Sequence, residues 1–592
     1  MDKYARQRGL VIQDVLADAE IALHGTGSAL PYVLQCLVMA GVATRHGAIR
    51  LHLADRPVTE ADIAGQFLLT HDDLGEPLAG ALASRVTLLD EAVDIGVGAG
   101  PARGLSIAVP AAAEITAIEA SGDQVAAWGQ PLGTSVYVGP APLRLAADPP
   151  GTVLSASLAA VCGGLLAQVV LRQVGAIIAG PAVLTSWFEE HLWLAHPGIG
   201  AAATAAIEQG TPWPALLGVL DRISADAAQR FQILVEGMPA SPEPRVTTVL
   251  SDDAVVVAVR RERLGAPPAV IRPARAPMPL VEPLLWSPVE GPELQLDTAA
   301  GDDDWPPGAI AEASVVVCGA GALGSWATAV LAASRIPGLR LSLVDMDDAV
   351  EAHNLNRQVL FGGADIGLPK ARRAVERLMA IDPGLDARPL QVQITPVLAR
   401  ELASGEGPPV VVAEATPELD GYRTSVAALR QQLQTATAVL SCPDNHQTRW
   451  SLNLLTESLG IPLIDGAIAG FLGRLHVCDP ADQGQCLVCW LGTSIASDAK
   501  RHSCTDLVGD EPIPAIVTSA AVIGAAQAAA LICVLSGAGG RIRRYHGFDG
   551  TGTLLAGYRG GDRDHGECPT HLLGPPAAAQ RPSAHSVTEG QV

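Results

Sequence analysis

The sequence predicts an α/β protein made of two Rossmann-like, doubly wound halves in one chain, and three observations lead to this fold class. Residues 315–361 run from an apolar strand pattern through a glycine turn and an apolar helix pattern to a second strand pattern ending at Asp345. This order is typical of a βαβ unit in a parallel sheet. Residues 20–67 follow the same order, and two Ala-rich segments, 151–171 and 515–535, each follow a proline. Similarity over such long stretches indicates an internal repeat.

The length of the chain predicts several domains. It has 592 residues, whereas single hydrophobic cores stop growing near roughly 250–300 residues. We expect a first half over 1–180, an accessory helical and β region with a Pro-rich linker over 181–300, a second half over 301–575, and a disordered tail over 576–592.

Charge and composition exclude some classes of partner. The formal net charge is −23, spread along the sequence rather than gathered in tails, which argues against nucleic-acid binding. The segments 151–171 and 515–535 are long enough to cross a bilayer. They are nevertheless rich in Ala, Gly, Ser and Thr, and each contains a Gln. We therefore expect two buried helices and no membrane association.

The cellular compartment is inferred from the N-terminus and the cysteines. "MDKYARQRGLVIQDVL" contains no basic stretch followed by an apolar core, so neither a signal nor a transit peptide is expected. The ten cysteines are unevenly spaced and indicate reduced thiols and metal ligands rather than a disulfide framework. Both observations predict a cytoplasmic protein.

A glycine turn in the second half predicts a nucleotide site. Gly319, Gly321 and Gly324 form G-x-G-x-x-G where a strand pattern meets a helix pattern, which lets backbone N–H groups approach a phosphate at the helix N-terminus. Asp345 ends the next strand pattern, at a distance suited to accepting hydrogen bonds from ribose hydroxyls. These features alone are compatible with NAD.

The residues that follow favour ATP and adenylyl transfer over hydride transfer. A polar set comes after the second strand: Asn354, Arg357, Gln358 and Lys370. A nicotinamide site needs no such cations, whereas expulsion of pyrophosphate from ATP requires neutralisation of developing negative charge. Asp444 and Asn445 end a further apolar run, where they suit Mg²⁺ or the attacked phosphate.

The first repeat keeps the fold pattern and loses the cations. The two copies align at four positions: Gly25 with Gly319, Gly27 with Gly321, Asp55 with Asp345, and Gln66 with Gln358. The alignment puts Gly65 opposite Arg357 and Pro77 opposite Lys370. We expect the first half to fold without being able to neutralise a triphosphate.

Together, the motifs of the second half resemble those of the ubiquitin-activating-enzyme superfamily, which includes the ThiF, MoeB and HesA adenylyltransferases. The resemblance covers most of 310–572 as G-x-G-x-x-G, D-x-D, N-L-x-R-Q, D-I-G-x-x-K-A, D-N-x-x-T-R and C-x-x-C. It implies that the second half is an active adenylation domain and the first an inactive pseudo-domain. The implied reaction uses ATP and Mg²⁺ to activate the C-terminal glycine carboxylate of a ubiquitin-like protein.

The resemblance also implies a role for each motif residue. Asp345, with Asp347 in the D-x-D motif, would hold the ribose. Asn354, Arg357 and Lys370 would contact the phosphates, Gln358 would lie near the adenylate, and Asp444, with Asn445, would serve the Mg²⁺ and α-phosphate region. "YARQRGL" resembles the opening segment of family members, so Arg6 would reach across to the triphosphate of the second half. That role would explain why an inactive half is retained.

Four residues are predicted to bind a structural zinc ion. Cys486 and Cys489 form C-x-x-C, and Cys568 and His571 form C-x-x-H; tetrahedral zinc accepts three thiolates and one imidazole. In the resembled family both pairs are usually C-x-x-C, so His571 is a departure. A fully ligated ion leaves no open position for catalysis.

Cys504 is the candidate nucleophile. It follows Lys500, Arg501 and His502 in "KRHSCTD", and neighbouring cations favour the thiolate, which is the nucleophilic form. The segment resembles the loop that carries the thioester cysteine of ubiquitin-activating enzymes.

The predicted function is adenylation of a ubiquitin-like protein, thioester formation on Cys504 and transfer to a conjugating enzyme, in a bacterial conjugation system linked to phage defence. Two alternatives stay open: adenylation without a thioester, for a sulfur-carrier protein or a ribosomally made peptide, and a nucleotide-binding scaffold subunit. The assembly is expected to be a monomer with two pseudo-symmetric halves or a homodimer.

Overall fold

The structure is a computed structural model of the chain. It describes residues 3–7, 10–98, 104–132, 135–143, 154–177, 182–184, 191–197, 254–260, 284–289, 310, 312–346, 349–404, 417–482, 485–491, 507–508, 511–512, 514–538, 541–551, 554–558, 568 and 570.

Ten strands and six α-helices are described before residue 310. The strands are β1 (Glu20–His24), β2 (Ala48–His52), β3 (Ile95–Val97), β4 (Leu105–Ala108), β5 (Val125–Leu132), β6 (Ser135–Gly139), β7 (Ala182–Leu184), β8 (His191–Pro197), β9 (Ala254–Arg260) and β10 (Leu284–Trp286). The helices are α1 (Gln13–Ala17), α2 (Leu30–Ala40), α3 (Glu60–Ile63), α4 (Leu78–Leu89), α5 (Ile115–Ala120) and α6 (Ser155–Gln173).

The described part of the second half contains ten more strands and seven more α-helices. The strands are β11 (Ala313–Cys318), β12 (Leu339–Asp345), β13 (Asp386–Gln391), β14 (Ala438–Ser441), β15 (Leu463–Ala469), β16 (Leu472–Cys478), β17 (Leu507–Val508), β18 (Glu511–Pro512), β19 (Tyr545–Asp549) and β20 (Leu554–Tyr558). The helices are α7 (Ala322–Ala333), α8 (Lys370–Ile381), α9 (Pro396–Ser404), α10 (Pro417–Thr435), α11 (His446–Leu459), α12 (Leu487–Leu491) and α13 (Val517–Leu535).

The two large sheets share one strand order. The first runs β10-β6-β5-β4-β1-β2-β3 and the second β13-β12-β11-β14-β15-β16-β19-β20. In both sheets, the central strand (β1 or β11) and the two strands on each side of it are parallel. The remaining strands extend the sheet in antiparallel pairs. Each sheet therefore contains the same doubly wound core, which confirms the prediction of two Rossmann-like halves. The strands β7, β8 and β9 form a separate sheet, and β17 pairs with β18.

Both halves place a glycine turn directly after the central strand. Gly25 and Gly319 have φ values of +87° and +102°, in the left-handed region that favours glycine. A Cβ on Gly25 would lie 2.7 Å from the carbonyl oxygen of Val109, and one on Gly319 would lie 2.6 Å from that of Cys442. The turn therefore passes too close to the neighbouring strand end to accept a side chain.

The helices α6 and α13 pack against each other between the two halves. Both are long and apolar enough to cross a membrane by length and composition, yet 89% of the α6 window and 94% of the α13 window is buried inside the protein. Gly164 permits the close approach, because a Cβ there would lie 2.8 Å from Cγ2 of Val522. The prediction of two buried helices is confirmed, and one cluster of buried apolar side chains extends through both halves.

Part of the segment predicted as a linker completes the first sheet. β10 pairs antiparallel with β6, and the indole Nε1 of Trp286 donates to Nδ1 of His546 in the second half at 3.1 Å. The amide of Arg543 also donates to the carbonyl of Pro288 at 3.0 Å. Residues 284–289 thus fasten the two halves together.

Candidate active site

A cleft opens at the carboxyl ends of β11, β12 and β14. This is where the order of the second sheet reverses around its central strand, and ligands of doubly wound proteins bind at such switch points. The cleft is lined by ten of the residues that the sequence singles out: Arg6, Gly319, Gly321, Asp345, Asn354, Arg357, Gln358, Lys370, Asp444 and Asn445. They approach from both halves of the chain.

The glycine turn leaves room for a ligand on one side. Gly321 caps the N-terminus of α7, and a Cβ there would meet nothing within 4 Å. A Cβ on Gly324 would instead lie 1.9 Å from the carbonyl oxygen of Gly319, so Gly324 lets the helix pack on the turn. The amide of Ala320 donates to Oδ2 of Asp345 at 2.7 Å, which fixes this carboxylate at the cleft.

Three of the buried cations that line the cleft are among the residues predicted from the sequence. Arg6, Arg357 and Lys370 are only 1%, 2% and 8% exposed. The Nη1 of Arg357 donates to the carbonyl of His353 at 2.6 Å and to Oδ1 of Asn356 at 3.0 Å. Three positive charges gathered at one cleft create a field that attracts negatively charged groups. The cleft is therefore suited to a polyanion.

Arg6 reaches this cleft from the N-terminal segment of the first half. It lies in a 3₁₀ turn, Ala5–Gln7, and its carbonyl accepts a hydrogen bond from the amide of Ala515 at 2.6 Å. Its Nη2 lies 3.4 Å from Nε2 of His353. The structure thus places Arg6 beside the second half, as the sequence predicts.

Gln358 supplies a buried acceptor. Its side chain is 3% exposed, and its Oε1 has no hydrogen-bond partner within the described parts of the chain. A buried carbonyl oxygen without a donor is costly, so this atom fits a site that a donor-bearing ligand completes.

Asp444 and Asn445 play different parts at the end of β14. Asn445 caps α11, because its Oδ1 accepts from the amide of Thr448 at 2.8 Å, while its Nδ2 lies 3.4 Å from Oδ1 of Asp444. Asp444 is exposed at the cleft. A carboxylate in this position fits Mg²⁺, which prefers oxygen ligands and retains waters.

Two residues that line the cleft, Arg449 and His353, are not among those that the sequence singles out. Arg449 lies in the D-N-x-x-T-R motif and donates to Oδ1 of Asp465 and to the carbonyls of Gly466 and Pro443, each at 2.5 Å. It joins the residue before Asp444 to the next strand. The position of Arg449 in this motif could have identified it as a site residue. For His353, the only such indication in the sequence is its position within "EAHNLNR".

At the described positions that match the site, the first half carries other side chains. Its register corrects two positions of the sequence alignment. At the end of the central strand, His24 pairs with His52 in the first sheet and Cys318 pairs with Val344 in the second. The next residue after His52 is Leu53, and the next after Val344 is Asp345. Leu53, not Asp55, therefore corresponds to Asp345. Bridges join Pro57 to Pro77 and Ala349 to Pro369, so Leu78, not Pro77, corresponds to Lys370. Shifts of one or two residues are invisible where the loops lack a repeated motif.

The glycine turn of the first half holds a carboxylate of its own chain. The amide of Thr26, equivalent to that of Ala320, donates to Oε2 of Glu114 at 2.7 Å, and its hydroxyl donates to Oε1 at 2.8 Å. A Cβ on Gly27 would lie 2.8 Å from the carbonyl oxygens of Val109 and Pro110. The space that is open at Gly321 is closed by protein here.

Three of the four predicted zinc ligands lie together. The sulfur of Cys486 is 3.7 Å from that of Cys489 and 3.7 Å from that of Cys568. A tetrahedral zinc with Zn–S bonds of about 2.3 Å has sulfur atoms about 3.8 Å apart, so the three thiols fit such an ion. His571, Cys504 and Asp347 lie outside the described residues.

A glycine turn at the switch point of a doubly wound sheet, facing buried cations, defines a nucleotide-binding α/β protein. The profile of the ThiF family matches residues 307–570. A sulfur carrier protein adenylyltransferase of Thermus thermophilus is 30% identical over 39% of this chain and 72% of its own length. The chain belongs to the ThiF family.

Two further comparisons cover less of the matched proteins. A SAMP-activating enzyme E1 of Haloferax volcanii is 30% identical over 31% of this chain and 54% of its own length, so the chain spans only about half of that relative. The crystal structure of E. coli MccB with AMPCPP and MccA matches with 17% identity and a TM-score of 0.32, over 44% of this chain and 66% of that one.

Proposed function

We propose that the chain uses ATP and Mg²⁺ to adenylate the C-terminal carboxylate of a ubiquitin-like or sulfur-carrier protein. The observation that carries the proposal is the convergence of Arg6, Arg357 and Lys370 on the cleft beside the glycine turn. The names of the Thermus and Haloferax relatives support this substrate class.

The residues of the cleft suit this reaction. A carboxylate oxygen of the acceptor protein attacks the α-phosphorus of ATP, an O–P bond forms, and the bond to pyrophosphate breaks. Arg6, Arg357 and Lys370 neutralise the charge that develops on the departing pyrophosphate. Asp345 accepts hydrogen bonds from the ribose, and Asp444 binds the Mg²⁺ that accompanies ATP. The products are an acyl-adenylate and pyrophosphate.

A second step is proposed for Cys504. Its thiolate attacks the acyl carbonyl, a C–S bond forms and AMP leaves, which gives a thioester for transfer to a conjugating enzyme. The cations at 500–502 and the E1 designation of the Haloferax relative support this step.

The remaining proposals concern the first half and its setting. Leu53, Gly65 and Leu78 replace Asp345, Arg357 and Lys370, so we expect one ATP per chain. Because Arg6 comes from the same chain, a monomer would hold a complete site, although a homodimer remains an alternative assembly.

We also propose a structural zinc at the cysteine cluster, a cytoplasmic location and a role in phage defence.

The test is ATP–pyrophosphate exchange with purified ubiquitin-like proteins that end in glycine. Lys370→Ala is expected to reduce exchange by about 100-fold or more, because it removes a charge-assisted contact to the leaving group. Arg372→Ala is the matched control, since that side chain lies on the same helix and is 78% exposed. Equal exchange by wild type and Lys370→Ala would contradict the proposal.

Cys504→Ala separates the proposed function from its alternatives. The thioester proposal predicts retained exchange and loss of a thiol-sensitive adduct with the acceptor protein. If the wild-type protein shows normal pyrophosphate exchange but forms no thiol-sensitive adduct, the result would favour adenylation alone, for a sulfur carrier or a peptide. No exchange with any acceptor tested would favour a scaffold subunit.

A further inference from the structure

His353 contacts an arginine from each half of the chain. Its side chain is buried, 5% exposed, on the 3₁₀ turn Ala352–Asn354. Its Nε2 lies 3.4 Å from Nη2 of Arg6, and its carbonyl accepts from Nη1 of Arg357 at 2.6 Å. One residue thus lies between the cation delivered by the first half and the cation supplied by the second.

The partners of the imidazole define its tautomer. An arginine guanidinium only donates hydrogen bonds, so Nε2 of His353 must be the acceptor. Its Nδ1 then carries the proton and faces Oε2 of Glu351 at 3.3 Å. A protonated ring has no acceptor atom and would repel Arg6.

The surroundings keep the ring neutral. The charged groups that face it are Glu351, Arg6, Arg357 and Lys370. Burial, followed by the charges of these three cations, lowers the pKa of His353 to about 4. The acceptor form is therefore present throughout the neutral pH range.

We propose that His353 is a positioning residue whose neutral Nε2 holds the guanidinium of Arg6 at the phosphate side of the cleft. The inference rests on the proposed function, because it requires a triphosphate in this cleft. Arg6 is anchored on its other side through its carbonyl, which accepts from Ala515. The backbone anchor brings Arg6 to the cleft, and His353 sets the direction of its charged end.

The test compares binding of ATP and of AMP to the full chain by calorimetry, which needs no acceptor protein. His353→Ala is expected to weaken ATP binding by about tenfold, the size of one hydrogen bond to a charged group, and to leave AMP binding unchanged. His353→Gln is expected to restore ATP binding, because the amide oxygen reaches about as far as Nε2. His353→Asn is expected to fail, because its oxygen takes the place of Nδ1. His71→Gln, an exposed histidine of the first half, is the control.

A double-mutant cycle distinguishes positioning from a structural effect. In an Arg6→Ala background, His353→Ala is expected to cost no further ATP affinity. Equal losses for ATP and AMP, or the same loss with and without Arg6, would overturn the inference, as would wild-type ATP affinity in His353→Ala. These outcomes are independent of the proposed acceptor chemistry, which fails separately if wild type shows no pyrophosphate exchange.

Discussion

Replacement of Gly321 by Ala tests whether the glycine turn of the second half approaches phosphate. A Cβ at Gly321 meets nothing within 4 Å. Its φ of −76° lies outside the left-handed region that favours glycine, and its ψ of −149° lies just beyond the extended region, so alanine adds only a small backbone strain. Ala is a weaker N-cap than Gly by a few tenths to about 1 kcal/mol, and the loss of glycine's freedom in the unfolded chain offsets about 0.4–1 kcal/mol. We therefore expect little change in stability.

The same methyl group would occupy the space that a phosphate needs. Displacing the phosphate from the turn amides would cost one charge-assisted hydrogen bond or more, each about 1.5–3 kcal/mol, which corresponds to a loss of about 10- to 100-fold in ATP affinity. Calorimetric titration with ATP measures the affinity, and a thermal melt measures the stability of the same sample.

Gly27→Ala is the matched variant in the first half. Its Cβ would lie 2.8 Å from two carbonyl oxygens, so the backbone must shift at a cost of about 1–3 kcal/mol. We expect a lower melting temperature and unchanged ATP affinity. Wild-type ATP affinity in Gly321→Ala would refute the placement of phosphate at this turn, and loss of ATP binding in a stable Gly27→Ala would indicate a nucleotide in the first half.

Three further predictions concern stability and metal content. Burial lowers the pKa of His546 to about 4 and that of His476 well below 6.5. As the pH falls, both histidines take up protons in the unfolded chain before they do so in the folded protein, so the unfolding free energy should fall between pH 6.5 and 4. A series of denaturant titrations that gives the same unfolding free energy across this range would contradict the prediction. Asp465→Asn should cost about 3–5 kcal/mol in urea unfolding, because it leaves the buried Arg449 without its carboxylate; an unchanged midpoint would exclude that ion pair as a stabilising contact. Purified protein should contain about one zinc per chain by elemental analysis, and Cys486→Ala should lose it; equal zinc in both would place the metal elsewhere.

Much of the site could be predicted because its chemistry lies in short motifs. The glycine turn, the N-L-x-R-Q segment and the D-N-x-x-T-R segment each lie at the carboxyl end of a predicted strand or just beyond it. Parallel strands bring those ends to one edge of the sheet, so Asp345, Arg357 and Asp444 were expected together, and they line one cleft. Cys36, Cys162, Cys318, Cys442 and Cys533 occur in apolar stretches of the sequence and are all buried.

Other features depended on contacts between distant segments. The assignment of Asp55 and Pro77 as counterparts of Asp345 and Lys370 was wrong, because strand pairing and loop bridges set the register and neither is encoded in the local pattern. The hydrogen bonds between the first glycine turn and Glu114 join residues 88 positions apart, and no spacing rule predicts such a contact.

The amino-acid sequence by itself determined the two βαβ cores, the residues able to handle a nucleotide, and the loss of cations from the first half, because strand, turn and helix patterns are local. Tertiary structure decided how Arg6 is held in the cleft of the second half and which residue accepts the hydrogen bond of its guanidinium. These depend on how two halves pack across α6 and α13, and that packing arises from the shape and burial of side chains hundreds of residues apart.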